Sequence, residues 1–253
     1  MQLSTTHPKR FELSNFETIS PEELKRRSKA ELEYYKNCQA IFTMGQWISH
    51  YLIDQLGIDS RKVHHVGGGI NIDRSLISNG QQRKNNKILF IGRDFKRKGG
   101  YLTYEAFRIL QRDLMPHAEL YIVGPANNPI NLPCKGYHFI GECPKKQLSD
   151  LLNTCDIFCM PSYFEAYGLV FAEALSFGLP CIGRNRYEMP YFIKDGVNGY
   201  LIEKDDALFL AHKMYDLLNN QAIQNSVRAM RDTYITKYSW DSVATRIKQH
   251  LNN

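Results

Sequence analysis

Two glutamates eight positions apart, Glu165 and Glu173, form the spacing in this sequence that most directly suggests chemistry. Between them lie Gly168, where the backbone could approach a ligand closely, and Leu169, where the sequence predicts a helix start. The free N–H groups and the dipole of a helix start favour an anion such as a phosphate. Carboxylates on both sides would repel a bare phosphate, but they accept hydrogen bonds from hydroxyls. The pattern therefore indicates a ligand with hydroxyls on both sides of its phosphates, which is the layout of a nucleoside diphosphate sugar.

Two other interpretations of this pair of glutamates are open. A general acid and a nucleophile in a glycosidase are also paired carboxylates, but that interpretation gives no role to the glycine-rich helix start or to the basic loop at 93–98. Two solvated glutamates around a helix start would explain the spacing taken alone. The flanking sequence favours the nucleotide-sugar site, because several of its features fit the same ligand.

A second candidate pair is Arg93 and Lys98, which lie five positions apart after a predicted strand. Arginine can bind a diphosphate through two N–H groups, whereas lysine acts as a point charge. Fixed cations there would stabilise the negative charge that develops when a nucleoside diphosphate leaves. We expect the neighbouring Lys96 and Arg97 to belong to a solvated basic turn.

The basic residues are concentrated in one stretch of the chain. The formal net charge of the 253 residues is +6, and the window 83–98, with seven basic residues and one acidic residue, accounts for all of it. A general coat for nucleic acid is therefore not indicated. The window also lacks interleaved aromatic residues beyond Phe90 and Phe95, which disfavours RNA or DNA binding.

Other familiar site motifs are absent from the sequence. The basic loop does not have the GxxxxGK[ST] order of a Walker A loop, and Gly67-Gly68-Gly69 is read as a turn. No D-x-D occurs, and the adjacent His64 and His65 would point to opposite faces of a strand. We therefore expect no metal site and no cofactor other than a nucleotide-sugar substrate.

The elements that must position these residues alternate between strands and helices. Apolar strands separated by helices predict a doubly wound parallel sheet of the α/β class, with ligands at the carboxyl ends of the strands. The strands are predicted at 88–91, 119–123, 138–140, 157–160, 180–182 and 199–202, and the helices at 101–112, 145–153, 169–177 and near 189–193.

The ends of the chain read differently from this central part. The first 75 residues predict a helix from Ser20-Pro21 to about Asn37, a strand at 40–44, a helix at 47–56 and a strand at 63–66. These are too few strands to close a sheet. Residues 74–86 read as a linker, and the last part predicts helices at 205–218, 222–234 and 239–251.

Composition restricts the class of protein further. Apolar residues make up 43% of the chain, no apolar run approaches the length of a membrane span, and the start of the chain lacks the apolar stretch of a signal peptide. The six cysteines are scattered without a CxxC pair, which favours buried reduced thiols. We expect a cytoplasmic protein, with peripheral contact to a membrane as a further option.

Several segments together resemble a known family of enzymes. The segments FIGRDFKRKGG (90–100), YIVGP (121–125), the long run 139–183 and FIKDGVNGYLI (192–202) are similar to the donor-binding half of GT-B glycosyltransferases. The similarity is strongest to family 4, the retaining group 1 enzymes, and its most specific part is the block 156–182. The resemblance implies a Rossmann-like fold and transfer of a sugar from a nucleotide donor.

The resemblance also implies roles for individual residues. Glu165 would contact hydroxyls of the donor sugar, and Glu173 would contact the ribose. The backbone of Tyr167, Gly168 and Leu169 would approach the diphosphate and the sugar. The family's GR-x4-KG pattern matches Gly92, Arg93 and Lys98, so that the two cations would hold the diphosphate. Among these residues, Arg93, Lys98 and Glu165 are the predicted catalytic ones.

The domain organisation implied by the resemblance has three parts. Residues 1–75 would be the remnant of an N-terminal acceptor-side domain, residues 76–235 the donor-binding domain, and residues 236–253 a terminal helix that returns to the N-terminal part. Members of the family have a complete N-terminal domain of ordinary domain size. We expect this chain to lack most of it.

Two functions follow from these expectations. The first is a retaining glycosyltransferase, or its donor half, that transfers a sugar to a glycan or a lipid-linked acceptor. The leaving phosphate would assist a same-face displacement, because no protein carboxylate is a clear nucleophile. The second is a nucleotide-sugar-binding module without catalysis, or one half of a split enzyme whose cleft is completed by a partner chain. Whether the chain transfers sugar or only binds it would separate the two.

Overall fold

A computed structural model describes residues 19–78 and 85–251. The chain divides into two compact units. The larger unit runs from Gly68 to Ser242, and the smaller unit comprises the residues up to Gly67 together with those from Val243 onward. The predicted domain roles, with limits at 75/76 and 235/236, stay a prediction.

The larger unit is built on six parallel strands. In chain order these are β3 (Lys87–Ile91), β4 (Glu119–Val123), β5 (Tyr137–Gly141), β6 (Ile157–Cys159), β7 (Cys181–Arg184) and β8 (Gly199–Ile202). Their order across the sheet is β5-β4-β3-β6-β7-β8, and every neighbouring pair is parallel. The predicted doubly wound α/β fold is confirmed.

Helices connect these strands. They are α3 (Gly100–Ile109), α4 (Lys145–Thr154), α5 (Leu169–Ser176), α6 (Met189–Phe192), α7 (Ala207–Asn219), α8 (Gln221–Ala229) and α9 (Arg231–Lys237). Helix α3 continues into a π-helical turn, Leu110–Leu114, and a short 3₁₀ turn spans Arg74–Leu76. The helix predicted at 222–234 is in fact two helices, because the backbone at Met230, with φ −88° and ψ 2°, lies outside the helical region.

The core of the larger unit lies on both faces of the central strands. Residues Ile88 to Phe90 of β3 and the whole of β6 are fully buried. Burial on both faces is what a continuous apolar run predicts for a parallel strand covered by helices on each side. The three cysteines Cys155, Cys159 and Cys181 are buried in this core, as expected for scattered cysteines without a CxxC pair.

The smaller unit contains α1 (Pro21–Asn37), α2 (Gln46–His50) with a π-helical turn at Tyr51–Gln55, and the parallel strands β1 (Ile41–Thr43) and β2 (Val63–His65). Ser20 caps α1 by accepting a hydrogen bond from the backbone N–H of Glu23 at 3.2 Å, as predicted. Gly57 ends the second helical stretch with a left-handed φ of 65°. A small apolar core forms around Leu52, Ile58 and Val63.

The last helix, α10 (Trp240–Leu251), begins in the larger unit and continues into the smaller one. Ser239 caps it by accepting a hydrogen bond from Ser242 N at 3.0 Å. In the smaller unit, Arg246 Nε donates to the carbonyl of Val66 at 2.6 Å, and the rings of His250 and His64 stack at 4.0 Å. Across residues 19–78 and 85–251, no helix combines the length and apolar character needed to cross a membrane.

Candidate functional site

The candidate site lies where the strand order of the large sheet reverses. From β3 the chain moves outward through β4 and β5, and it then returns to place β6 on the other side of β3. Connections that leave adjacent strands in opposite directions open a crevice at their carboxyl ends, where ligands bind in such sheets. The loop after β3 carries Arg93 and Lys98, and the loop after β6 carries Glu165.

Lys98 and Glu165, which were predicted to contact the same ligand, lie next to each other in the structure. Lys98 Nζ donates to Glu165 Oε1 at 2.5 Å, and the carboxylate is only 4% exposed. A buried carboxylate requires such a partner, because an unpaired charge out of water is strongly destabilising. Lys98 contacts Oε1, and the second oxygen of the carboxylate, Oε2, could accept a hydrogen bond from a ligand hydroxyl.

Arg97 differs from its expected role as part of a solvated turn. Its side chain is 23% exposed, and Nη1 donates to the carbonyl of Phe164 at 2.7 Å while lying 3.8 Å from Glu165 Oε1. The reason is that the backbone of the two loops pairs, since the carbonyl of Arg97 accepts a hydrogen bond from Tyr163 N at 2.9 Å. No sequence pattern distinguishes Arg97 from the exposed Lys96 beside it.

Arg93 lies apart from this cluster. Its side chain is 86% exposed and pairs with Glu142, after β5, across 3.5 Å. The preceding Gly92 is buried, and a Cβ added to it would lie 2.8 Å from Lys98 Cγ. A glycine at this position therefore lets the backbone and the lysine stem pack together. Of the two predicted diphosphate-binding cations, Arg93 and Lys98, only Lys98 contacts one of the two glutamates, Glu165, in this structure.

The helix start between the two glutamates has the predicted position. Gly168 has φ 97° and ψ 52°, and α5 begins at Leu169. This left-handed conformation is accessible to glycine at little cost, which explains the residue type. Gly168 has no side chain to cap the first turn, where Phe171 N donates to the carbonyl of Gly168 at 2.9 Å. A helix start of this kind favours an anion through its dipole and its remaining N–H groups.

Glu173, in the second turn of α5, is buried at 8% exposure. Burial raises the pKa of its carboxyl to about 7, although a backbone hydrogen bond from Asn71 at 3.5 Å and the nearby Lys145 oppose this shift. Asn71 holds this corner together, since its carbonyl accepts from Lys145 Nζ at 3.2 Å and its side-chain oxygen accepts from Trp240 Nε1 at 3.1 Å. No motif or spacing in the sequence predicted a role for Asn71.

Tyr167 and Gly68 link two loops beside the helix start. The Tyr167 hydroxyl accepts a hydrogen bond from the backbone N–H of Gly68 at 2.9 Å, and its carbonyl lies 3.5 Å away. The side chain is buried and packs edge-on against Phe192. Tyr167 therefore uses its side chain internally, so the predicted contact of this residue with the ligand would have to be made by its backbone.

Together these residues form a charged and polar crevice. They supply the Glu165 carboxylate paired with Lys98, the uncapped start of α5, and the buried carboxylate of Glu173 on that helix. In residues 19–78 and 85–251 there is no group of three or more His, Cys, Asp or Glu side chains placed to bind a metal ion. The arrangement can hold a diphosphate between two groups that bear hydroxyls.

The sequence and fold match known proteins. The family model described as "Glycosyl transferases group 1" matches residues 71–234, which is well over half of the chain. The "Phosphatidyl-myo-inositol mannosyltransferase" of Mycobacterium leprae (strain TN) is 26% identical over 206 residues, covering 77% of this chain and 54% of that protein. The chain spans about half the length of the curated relatives it matches.

Solved structures confirm the fold. The Anabaena protein Alr3699/HepE, in complex with UDP and glucose, superposes with a TM-score of 0.70 at 15% identity, covering 91% of this chain and 68% of that one. Sucrose-phosphate synthase from Thermosynechococcus elongatus gives 0.74 at 18% identity, covering 94% and 64%. These structural neighbours are GT-B glycosyltransferases, as the resemblance predicted. The chain belongs to the glycosyl transferases group 1 family.

Proposed function

We propose that this chain binds the nucleoside diphosphate sugar of a glycosyltransferase and supports transfer of that sugar to a glycan or a lipid-linked acceptor. The observation that carries the proposal is the pairing of Lys98 with the buried Glu165 beside the start of α5, the helix that also carries the buried Glu173. Family membership and a structural neighbour that binds UDP and glucose support the same ligand class.

The proposed roles follow from the chemistry of each group. Glu165 accepts hydrogen bonds from hydroxyls of the donor sugar, and Glu173 accepts them from the ribose. The backbone at Tyr167, Gly168 and Leu169 lies along the diphosphate, and the start of α5 favours its charge. Lys98 and Arg93, next to Gly92, stabilise the charge that develops on the leaving diphosphate.

Arg93 can fulfil this role only by a change of side-chain position. Its link to Glu142 joins two exposed groups, and pairs of that kind contribute little stability. A diphosphate in the crevice would offer the arginine a bidentate partner instead. Movement of an exposed side chain between two such partners requires no change in the fold.

We further propose that the reaction retains the configuration of the sugar, as in family 4, and that it requires no bound metal. The leaving phosphate would assist attack on the same face, since Glu165 is engaged with Lys98 and no other carboxylate is assigned as a nucleophile. Activity measured with and without EDTA tests metal independence, and complete loss with EDTA, restored by Mg²⁺ or Mn²⁺, would contradict it. The anomeric configuration of the product tests retention.

A binding experiment tests the central proposal. Thermal denaturation of the 253-residue chain would be followed with UDP-glucose, GDP-mannose and ADP-glucose, each against its free nucleoside diphosphate. A ligand that binds only the folded state raises the midpoint in a concentration-dependent way. Stabilisation by at least one of these donors is the expected result, and stabilisation by none would contradict the proposal.

A transfer assay separates the enzyme from a non-catalytic module or half of a split enzyme. The M. leprae relative is named for mannosyl transfer to a phosphatidyl-myo-inositol, which is why a lipid-linked acceptor is included in the proposal. Sugar transfer or donor hydrolysis by the chain alone supports the enzyme. Donor binding without either reaction favours the module, as does activity that appears only with a partner chain. A cytoplasmic location, with peripheral contact to a membrane, fits either form.

A further inference from the structure

Arg97 connects three parts of the crevice through contacts that the proposed donor site does not use. Its Nη1 donates to the carbonyl of Phe164 at 2.7 Å and lies 3.8 Å from Oε1 of Glu165. Its Nε lies 3.0 Å from Oδ2 of Asp94, which belongs to the same loop. The guanidinium therefore joins the loop after β3 to the two residues that present the Glu165 carboxylate.

The arginine is itself held in place. Asp94 Oδ1 accepts a hydrogen bond from the backbone N–H of Arg97 at 3.0 Å, so that one carboxylate fixes both ends of the residue. The carbonyl of Arg97 accepts from Tyr163 N at 2.9 Å and from Ser162 Oγ at 3.2 Å. Ser162 Oγ also lies 3.0 Å from the carbonyl of Phe164, the same carbonyl to which Arg97 donates. The position of the guanidinium is thus determined by the packing of the two loops.

Two cations, Lys98 and Arg97, lie near the carboxylate of Glu165. Both cations approach the same oxygen, Oε1, with Lys98 at 2.5 Å and Arg97 at 3.8 Å. If Lys98 binds the diphosphate, it must share its charge between that group and the carboxylate. A carboxylate that is 4% exposed then depends on a second cation for its charge partner and its orientation. Arg97 is the cation in place to do this.

We propose that Arg97 is the positioning residue for Glu165: it holds the carboxylate turned toward the donor sugar while Lys98 engages the diphosphate. This inference rests on the proposed function and adds a residue to it. Arg97 touches neither the sugar nor the phosphates in this arrangement. Its effect should therefore fall on recognition of the sugar and not on binding of the nucleotide.

The test compares each nucleoside diphosphate with its sugar conjugate. Isothermal titration calorimetry would measure the wild-type chain with the pairs UDP and UDP-glucose, GDP and GDP-mannose, and ADP and ADP-glucose, and the variants with the pair whose conjugate binds most tightly. Arg97→Gln is expected to weaken the conjugate roughly tenfold, the size of effect associated with one charge-assisted contact. Its affinity for the nucleoside diphosphate alone should change less than about twofold on the same argument.

Three further variants separate positioning from a structural role. Arg97→Lys keeps the charge and should recover part of the lost affinity for the conjugate. Asp94→Asn keeps Arg97 but weakens the ion pair that holds it. This variant should lose some affinity for the conjugate, though less than Arg97→Gln, and keep its affinity for the nucleoside diphosphate. Lys96→Gln removes an exposed charge from the same turn and should change neither affinity. Circular dichroism melts would confirm that each variant is folded at the temperature of titration.

The possible outcomes have distinct meanings. Equal loss for the nucleoside diphosphate and the conjugate in Arg97→Gln would show a general structural role and overturn the inference, as would no loss for either. If the Arg97→Gln variant does not fold, the comparison is made with Arg97→Lys and Asp94→Asn. An unchanged ratio of the affinities for the conjugate and the nucleoside diphosphate in these variants would also overturn the inference. If the wild-type chain binds none of the three conjugates, the proposed function fails and the inference fails with it.

Discussion

Lys98 Nζ lies 2.5 Å from Oε1 of Glu165, so that the loop after β3 and the loop after β6 are joined by one buried ion pair. These two strands are neighbours in the sheet although nearly 70 residues separate the partners in the chain. The pair therefore marks the crevice at the point where the strand order reverses. Both its stability and its ligand chemistry can be tested by separating the two charges.

Replacing Lys98 by Met leaves the Glu165 carboxylate buried without its nearest cation. We expect the free energy of unfolding to fall by about 1–3 kcal/mol, less than the roughly 3–5 kcal/mol of a fully broken buried pair, because Arg97 remains 3.8 Å away. Urea denaturation would measure the loss. The double variant Lys98→Met with Glu165→Gln removes both charges and should recover most of the stability without recovering donor binding. A double variant no more stable than Lys98→Met would show that the pair does not account for the loss.

Arg93 and Lys96 provide a matched pair of exposed cations in the same loop. Arg93→Ala should weaken nucleotide-sugar binding about tenfold or more, since a bidentate contact to the diphosphate is lost. It should change stability by less than about 0.5 kcal/mol, because the Arg93–Glu142 pair is exposed. Glu165→Ala should also weaken binding, whereas Lys96→Ala should not. Equal affinities for the three variants, measured by calorimetry, would contradict the assignment of the site.

Glu173 should make the stability of the chain fall as the pH rises. Burial raises the pKa of its carboxyl in the folded state to about 7 from an ordinary 4.5, so the folded state retains a proton that the unfolded state has lost between these values. Stability decreases across that interval by about 3 kcal/mol at most.

The variant Glu173→Gln cannot ionise and should not show this decrease. Urea denaturation from about pH 4.5 to pH 8 would compare it with the wild type in the absence of ligand. We expect similar stability at the acid end and a more stable variant at the alkaline end. Parallel pH profiles for the two proteins would show that Glu173 does not titrate in this interval.

Gly168→Ala should reduce both stability and donor binding. The alanine would have to keep the φ of 97° that Gly168 has. Its Cβ would lie 3.1 Å from a ring carbon of Phe171 and 3.6 Å from Glu165 Oε2. We expect a loss of about 1–2 kcal/mol in the free energy of unfolding, together with weaker binding at the start of α5.

Gly196→Ala is the matched control for the backbone strain. Gly196 also has a left-handed φ, 72°, but an added Cβ there would meet no heavy atom within 4 Å. Its substitution should cost about 1 kcal/mol through backbone conformation alone and leave donor affinity unchanged. If thermal melts and calorimetry give the two variants the same loss of affinity, the close approach at Gly168 has no part in ligand binding.

Much of the large sheet could be predicted from local pattern. The apolar run Ile88–Ile91 and the run from Ile157 predicted strands because only residues buried on both faces of a sheet are apolar without alternation. The break at Met230 could not be predicted, since the residues on both sides of it have helical spacing. Where a helix ends depends on what each half packs against as well as on periodicity.

Local sequence is enough to predict which residue types meet at the carboxyl edge of the sheet. The spacing of Glu165, Gly168 and Glu173 is local, so it fixed a helix start between two carboxylates before any tertiary contact was known. The family resemblance of residues 90–100 and 156–182 rests on the same local motifs. Both the helix start and the family motifs involve residues that are close together in the chain, so they can be recognised without tertiary contacts.

The tertiary structure alone decided the electrostatic state of those residues. Lys98 rather than Arg93 contacts Glu165, Arg97 is drawn into the crevice, and Asn71 lies against the buried Glu173. None of these relationships follows from spacing, because the partners are brought together by strand order and loop packing across about 70 to 100 positions of the chain. Burial then sets the strength of each electrostatic interaction, because the desolvation cost of a carboxylate is small in solvent and large in a buried site.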